Sequence, residues 1–94
     1  MTDGIIKGTP IEFSKHAKRQ LAERNLSEEA VTDCLEKPQQ VLYNSRGKGI
    51  AHKIFEKEGK DFLMRVIFLE ESNRRKVVTV YITSKIHKYW RRDK

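Results

Sequence analysis

Two periodicities of apolar residues divide the chain near Pro38. Before Pro38, apolar residues recur about every four positions, which is typical of amphipathic helices. Residues 13–24 predict a first helix with Ser14 as its N-cap, and residues 25–38 predict a second helix that begins after Ser27. The junction between them is so short that it predicts a tight corner between two helices.

After Pro38 the chain is rich in β-branched and aromatic residues in short runs, which is typical of strands. Four strands are predicted, in the segments QVLYNS, IAHKIFEK, FLMRVIFLE and KVVTVYIT. Because short turns join them, an antiparallel meander is favoured. We expect an α+β fold with two N-terminal helices on one face of a four-stranded, mainly antiparallel sheet. The helical spacing of Ile86, Tyr89 and Trp90 predicts a short C-terminal helix.

Alternation along the third and fourth predicted strands assigns side chains to the two faces of the sheet. The residues expected to meet the helices are Met64, Val66, Val78, Val80 and Ile82. Arg65 then lies on the other face with Tyr81 and Thr83. Either His52 or Lys53 joins them, depending on the register of the second strand.

The 94 residues are expected to form one domain, with residues 1–10 as a flexible arm or short strand near Ile5 and residues 11–90 as the folded part. The lone Cys34 excludes an internal disulfide, and Cys and His show no metal-site spacing, so we expect neither metal nor cofactor. The N-terminal sequence does not resemble a signal peptide, and no stretch approaches the roughly 20 apolar residues of a membrane span. A cytoplasmic protein that does not bind membranes is expected.

The net charge of +7 is confined to the C-terminal part of the chain. Residues 1–73 contain 12 Lys or Arg and 12 Asp or Glu, whereas residues 74–94 contain eight Lys or Arg and only one acid, Asp93. This segment is either a solvated tail or a surface for nucleic acid or an acidic partner. Tyr89 and Trp90 lie among its cations, where they either stack on bases or contact a partner protein.

Two residues stand out as candidates for chemistry. Arg65 interrupts an apolar strand, and burying an unpaired charge there is costly. It is either solvated or paired with a carboxylate such as Glu12 or Glu56, or it binds an anion such as phosphate. His16, in the first turn of the first helix, is either plain surface or a general base or acid near neutral pH.

Three segments, FSKHAKRQLAERNLSEEAVTDCLEKPQQV, LMRVIF and VVTVYITSKIHKYW, resemble in order and spacing the family called domain of unknown function 4258. The resemblance covers about residues 11–90. That family is similar in fold to the RelE/ParE-like toxins, small metal-free ribonucleases or gyrase poisons that a neighbouring antitoxin neutralises. The resemblance implies a toxin-like protein of a type II toxin–antitoxin pair. Its implied activity is that of an endoribonuclease of the mRNA interferase type, and its implied partners are RNA, free or on the ribosome, and a small acidic antitoxin. The alternative is a non-catalytic protein that binds nucleic acid or a partner chain.

Carried over by position, the family's His-Ala pair falls on His16 and Ala17. The resemblance implies that His16 acts as base or acid, that Arg65 and Lys85 hold the phosphate, and that Tyr81 donates a proton or stacks on a base. These four are the expected catalytic residues. The residues expected to bind nucleic acid are Arg24, Lys53, Thr83, Lys88, Arg91 and Arg92. The residues expected to contact the partner are Tyr89 and Trp90.

Overall fold

The computed structural model describes residues 10–71 and 73–90, which form one sheet and three helices. The strands lie in the order β1-β5-β4-β3-β2, and α1 and α2 pack on one face of the sheet. The α+β class is confirmed. Among these residues, no helix has both the length and the apolar character needed to cross a membrane. In chain order the elements are β1 (Ile11–Phe13), α1 (Lys15–Arg24), α2 (Glu28–Glu36), β2 (Gln40–Tyr43), β3 (Lys48–Lys57), β4 (Lys60–Glu71), β5 (Arg74–Thr83) and α3 (Ile86–Tyr89).

The sheet has one more strand than the sequence predicts, and one of its pairs is parallel. β1 pairs in parallel with β5, so that Phe13 lies beside Val77, and the backbone N–H of Ser14 donates to the carbonyl of Val77 over 2.9 Å. The prediction of four strands was wrong because a strand of three residues is too short to show alternation. The predicted strand near Ile5 lies outside the described residues.

Both N-terminal helices begin at the serine caps that the sequence predicts. The Oγ of Ser14 accepts a hydrogen bond from the backbone N–H of Ala17 over 3.0 Å, and the Oγ of Ser27 accepts one from Ala30 over 3.1 Å. Asn25 follows α1 in the left-handed conformation, with φ at 57°, and turns the chain sharply toward α2. The predicted tight corner between the helices is confirmed.

The hydrophobic core lies between the helices and the sheet. From the helices, its buried side chains are Ala17, Leu21, Val31, Cys34 and Leu35, and from the sheet they are Ala51, Met64, Val66, Phe68, Val77 and Val80. α1 also covers the edge of β5, because the Oε1 of Gln20 accepts a hydrogen bond from the backbone N–H of Val80 over 2.8 Å. The helix layer is thereby attached to the sheet by a polar contact as well as by apolar packing.

A β-bulge in β5 corrects the predicted helix-facing set. Ile67 pairs with Thr79 and Phe68 pairs with Val77, so Val78 has no partner on β4. The extra residue reverses the alternation, so that Val77 is buried in the core and Val78 is only half-buried. The prediction that Val78 meets the helices was therefore wrong. Beyond the bulge, toward Thr83, the predicted alternation holds.

Candidate functional site

The register of four neighbouring strands aligns four polar side chains in a row across the sheet. Gln40 of β2 pairs with His52 of β3, His52 pairs with Arg65 of β4, and Arg65 pairs with Tyr81 of β5. Directly paired residues project from the same face, and alternation places these four opposite the core residue Ala51. This set, called the polar row below, therefore lies on the face that α1 and α2 leave uncovered.

His52 is at the centre of the polar row and is completely buried. Its Nδ1 lies 2.9 Å from the Oε1 of Gln40, and its Nε2 accepts a hydrogen bond from the Nε of Arg65 over 3.1 Å. Because the amide oxygen of Gln40 only accepts, this network assigns the imidazole hydrogen to Nδ1. Burial and the neighbouring Arg65 cation lower the pKa of His52 to about 4, which keeps the ring neutral at pH 7.

Arg65 has an aromatic neighbour as its partner instead of a carboxylate. Its Cζ lies 4.2 Å from the centroid of the Tyr89 ring, which is cation–π geometry. Of the two carboxylates considered from the sequence, Glu12 pairs with Arg74 at 3.3 Å. No ion pair among the described residues includes Arg65. The guanidinium of Arg65 is thus half-buried, and no carboxylate among the described residues pairs with it. A positive charge in this position is suited to binding an external anion.

Two tyrosine hydroxyl groups meet beside Arg65. The Oη atoms of Tyr81 and Tyr89 are 3.5 Å apart, and the two rings pack edge to face with centroids 5.8 Å apart. The hydrogen bond with Tyr81 is the main cause that lowers the pKa of Tyr89. Desolvation opposes it, and the Lys88 and Arg65 cations each add a smaller lowering. At neutral pH a larger fraction of Tyr89 is therefore ionised, and able to accept a proton, than of an ordinary phenol.

α3 and Trp90 cover the polar row, and this segment is called the C-terminal cover below. The Trp90 ring stacks on His52 with centroids 5.9 Å apart and an angle of 24° between the rings. The backbone N–H of Trp90 donates to the carbonyl of Ile86 over 2.8 Å, which fixes the end of α3. Tyr89 and Trp90, predicted to contact a partner, are both half-buried against the polar row.

The predicted residues at the end of β5 have separate roles. Thr83 is almost buried, and its Oγ1 accepts a hydrogen bond from the backbone N–H of Lys85 over 3.0 Å. This contact turns the chain from β5 into α3, and the hydroxyl group that was predicted to bind nucleic acid takes part in it as an acceptor. Lys85 and Lys88 are exposed, and the Nζ of Lys88 lies 5.4 Å from the Tyr89 ring. Two cations therefore flank the polar row, whereas Arg91 and Arg92 lie outside the described residues.

Three predicted residues lie away from the polar row, in the helix layer or on the face of the sheet that it covers. His16 is exposed on α1, and Arg24 is exposed at the end of the same helix. Lys53 neighbours His52 in sequence, so it projects to the opposite face, where its Nζ pairs with Asp33 of α2. That pairing lowers the pKa of the Asp33 carboxyl. The structure therefore does not bring His16 to Arg65, and the two cannot act on one phosphate.

Gln40 is a site residue that sequence reasoning missed, and His52 is the alternative to Lys53 that it left open. The signal that identifies His52 is the turn between β3 and β4. Glu58 and Gly59 both have positive φ, at 55° and 77°, so they form a two-residue hairpin turn. A turn of that length pairs Lys57 with Lys60 and, five residues further along, His52 with Arg65.

Neither the lone cysteine nor any cluster of possible metal ligands among the described residues forms a reactive site. Burial raises the pKa of the Cys34 thiol to about 12, so the thiolate is scarce at neutral pH. Within residues 10–71 and 73–90, no three side chains of His, Cys, Asp or Glu come together as metal ligands would.

Residues 13–82 match the family model described as domain of unknown function, DUF4258. The chain belongs to the DUF4258 family. No curated protein and no solved structure matches the chain. The match to DUF4258 includes all four residues of the polar row, and it ends before the C-terminal cover.

Proposed function

We propose that this DUF4258 protein is the toxin-like member of a type II toxin–antitoxin pair and a metal-independent endoribonuclease. The observation that supports this most directly is the position of Arg65. Its guanidinium is fixed by His52 on one side, lies against the Tyr89 ring at 4.2 Å, and has two phenol groups beside it. This arrangement combines a phosphate-binding cation with groups that exchange protons, as cleavage of RNA without a metal requires.

Binding of the substrate uses the cations around the C-terminal cover. Because only the Nε of Arg65 is bonded to His52, its terminal nitrogens remain for phosphate oxygens, and a guanidinium binds such oxygens in pairs. Lys85 and Lys88 are exposed nearby and attract the adjoining phosphates of the strand. Tyr89 and Trp90 are half-buried, and unpaired bases stack on the ring faces that are turned away from the polar row, which favours single-stranded RNA.

Cleavage follows from the two tyrosines. Ionised Tyr89 accepts the proton of the 2′-hydroxyl, whose oxygen forms a bond to the adjacent phosphorus while the bond from phosphorus to the 5′-oxygen breaks. Tyr81 donates its proton to that 5′-oxygen, and Arg65 stabilises the charge on the phosphorane. The products are a 2′,3′-cyclic phosphate and a 5′-hydroxyl. Proton transfer from Tyr89 to Tyr81 across their 3.5 Å contact restores both groups.

His16 has no part in this scheme because the structure places it on the helix layer. The role of base that the family resemblance implied for His16 passes to Tyr89, and the phosphate-binding role of Arg65 is retained. Lys85 stays in the site as a flanking cation. The role of antitoxin falls to a small acidic protein, whose negative charge complements the net charge of +7.

A second candidate function is binding of RNA without cleavage. The observation that favours it is the C-terminal cover, since His52 is completely buried and Arg65 half-buried beneath aromatic rings. A reacting phosphate must reach Arg65 past the Tyr89 ring. A protein that only stacks bases on Tyr89 and Trp90 has no such requirement.

One experiment separates the two functions. Purified protein is incubated, with EDTA present, with single-stranded RNA oligonucleotides and with the same oligonucleotides carrying 2′-deoxy nucleotides. The ribonuclease cuts only the all-ribose strands and leaves cyclic phosphate ends, while both kinds of strand bind equally. Binding without any cut supports the second function, and no binding to either strand contradicts both. Growth arrest on expression, relieved by the gene product encoded alongside, tests the toxin–antitoxin assignment separately.

A further inference from the structure

We propose that a groove on the helix-covered face of the sheet binds an acidic amphipathic helix of another protein. Two adjoining cavities of about 400 and 230 Å³ share the side chains of Leu26 and Phe55. We call them together the corner groove. Its apolar floor consists of Leu26, Phe55, Phe62, Met64 and Ile82.

The corner groove exists because the helix layer is shorter than the sheet. α1 ends at Arg24, and the corner at Asn25 returns the chain into α2. The hairpin of β3 and β4 continues past this corner to its turn at Glu58. Its two phenylalanines, Phe55 and Phe62, stack on each other with centroids 5.9 Å apart and are only half-buried. Apolar side chains that the core would otherwise enclose are left at the surface.

The charges around this floor are positive. Arg24 and Lys57 line the larger cavity, and the Nζ of Lys60 lies 5.7 Å from the Phe62 ring. None of the described residues that line the larger cavity is acidic. The smaller cavity contains one carboxylate, that of Asp33, and this group is paired with Lys53. The corner groove therefore complements a ligand with an apolar side and a negatively charged side.

The geometry favours a helix over an extended strand. The floor is made of side chains that project from a sheet face, and helices pack against sheet faces, whereas an added strand needs free backbone groups at an edge. A bound helix would extend the layer of α1 and α2 over the exposed part of the β3–β4 hairpin. Its apolar residues at helical spacing would contact Phe55, Phe62 and Ile82, and its acidic residues would meet Arg24, Lys57 and Lys60.

We identify the partner as the acidic antitoxin, and this identification rests on the proposed function. It places the partner on the face opposite the polar row, so that Tyr89 and Trp90 remain available to RNA. A partner bound in the corner groove does not occupy the same surface as RNA bound at the C-terminal cover.

The test uses the full-length protein and a synthetic amphipathic peptide of about 18 residues, five helical turns, with leucines on one side and glutamates on the other. A peptide of the same composition in scrambled order is the control. Amide shifts in NMR spectra locate the contact, and titration calorimetry measures the affinity. Shifts at Leu26, Phe55 and Phe62, with at least about tenfold weaker binding of the scrambled peptide, are expected.

Charge reversal at the groove provides the second arm, because it does not disturb the core. The double variant Lys57→Glu with Lys60→Glu should weaken peptide binding by about tenfold. The double variant Lys18→Glu with Arg19→Glu, on the exposed side of α1, has the same net charge. At physiological ionic strength, where charges are screened beyond about 8 Å, this control should bind the peptide almost as the parent does.

Each other outcome contradicts the inference. Equal binding of the scrambled peptide, shifts confined to the polar row, or equal effects of the two double variants would show that the groove does not select an acidic helix. A concentration-dependent dimer in sedimentation, lost in Lys57→Glu with Lys60→Glu, would make a second copy the occupant and overturn it. RNA binding is measured on the same samples. If the protein binds RNA but not the peptide, only the proposal about the corner groove is refuted. If it binds the peptide but not RNA, only the proposed ribonuclease function is refuted.

Discussion

Arg65 donates the hydrogen on its Nε to the Nε2 of His52 across 3.1 Å, although both side chains are bases. The contact requires the imidazole to be neutral, and burial beneath Trp90 keeps it so. Gln40 accepts the single N–H hydrogen of the imidazole, on Nδ1, so the ring cannot turn without losing both bonds. Three strands thereby fix the direction in which the guanidinium of Arg65 faces.

Replacing Arg65 with alanine should abolish most of the cleavage of RNA. Loss of one group that stabilises charge in a transition state typically lowers the rate by a factor of roughly 100 to 1,000. The rate is measured on a short single-stranded RNA, and circular dichroism checks the fold. Arg46→Ala, which removes an exposed cation from the turn before β3, is the matched control and should cleave normally. Full activity of Arg65→Ala would exclude Arg65 from the site.

The substitution Tyr89→Phe should separate binding from chemistry. It retains the ring over Arg65 but removes the hydroxyl, so RNA affinity should change less than twofold while the rate falls by roughly 100- to 10,000-fold. Fluorescence anisotropy measures the affinity and single-turnover kinetics the rate. Tyr43→Phe, at an exposed tyrosine on β2, serves as the control. An unchanged rate in Tyr89→Phe would assign the proton transfer to another group.

Stability should fall in mildly acidic solution because of His52. Its pKa is lowered to about 4 in the folded protein, so between pH 6.5 and 4 the unfolded chain binds more protons than the folded chain does. The stabilisation is complete above the unfolded pKa and is lost as the pH falls toward the folded one. Between pH 7 and pH 5 we expect His52 to account for about 2 kcal/mol of lost unfolding free energy. Urea unfolding of the parent and of His52→Gln at both pH values measures this, since the variant lacks the titrating ring.

Alanine in place of His16 should leave RNA cleavage within about twofold of the parent. His16 is exposed on α1 and is separated from Arg65 by the sheet, so removing it takes nothing from the polar row. Rates measured across the neutral pH range provide the check. A loss of roughly 100-fold with a changed pH profile would restore the role implied by the family resemblance and would contradict the position of the site.

Gly49→Ala should destabilise the fold without touching the site. A Cβ at this position would lie 2.4 Å from the Phe68 ring, which packs directly over the Gly49 backbone in the core. Displacing a buried ring typically costs about 1–3 kcal/mol. Thermal and urea unfolding measure the loss, and Gly59→Asn is a useful comparison, because the added side chain meets open space and asparagine tolerates positive φ. Equal stability of Gly49→Ala and the parent would show that Phe68 moves aside freely.

Local signals in the sequence determined the helices and most of the sheet. Ser14 and Ser27 each accept a hydrogen bond from the backbone N–H three residues later. The signal for the start of each helix therefore lies within the first turn of that helix. Alternation with a period of two placed Arg65, Tyr81 and Thr83 on one face, because neighbouring side chains on a strand must project oppositely. Both kinds of signal are short in range and therefore visible in a single sequence.

Tertiary structure alone decided which residues meet. β1 forms because β5 has a free edge. The bulge at Val78 places Val77 on the helix-covered face, to which strict alternation had assigned Val78. The choice between His52 and Lys53 depended on the register of β3 against β4, where a shift of one residue exchanges the two faces. The separation of His16 from Arg65 depended on which face the helices cover. The two-residue turn at Glu58 and Gly59 is a local signal for the register of β3 against β4. Layer order and the bulge arise from contacts between distant segments, which no local pattern in the chain encodes.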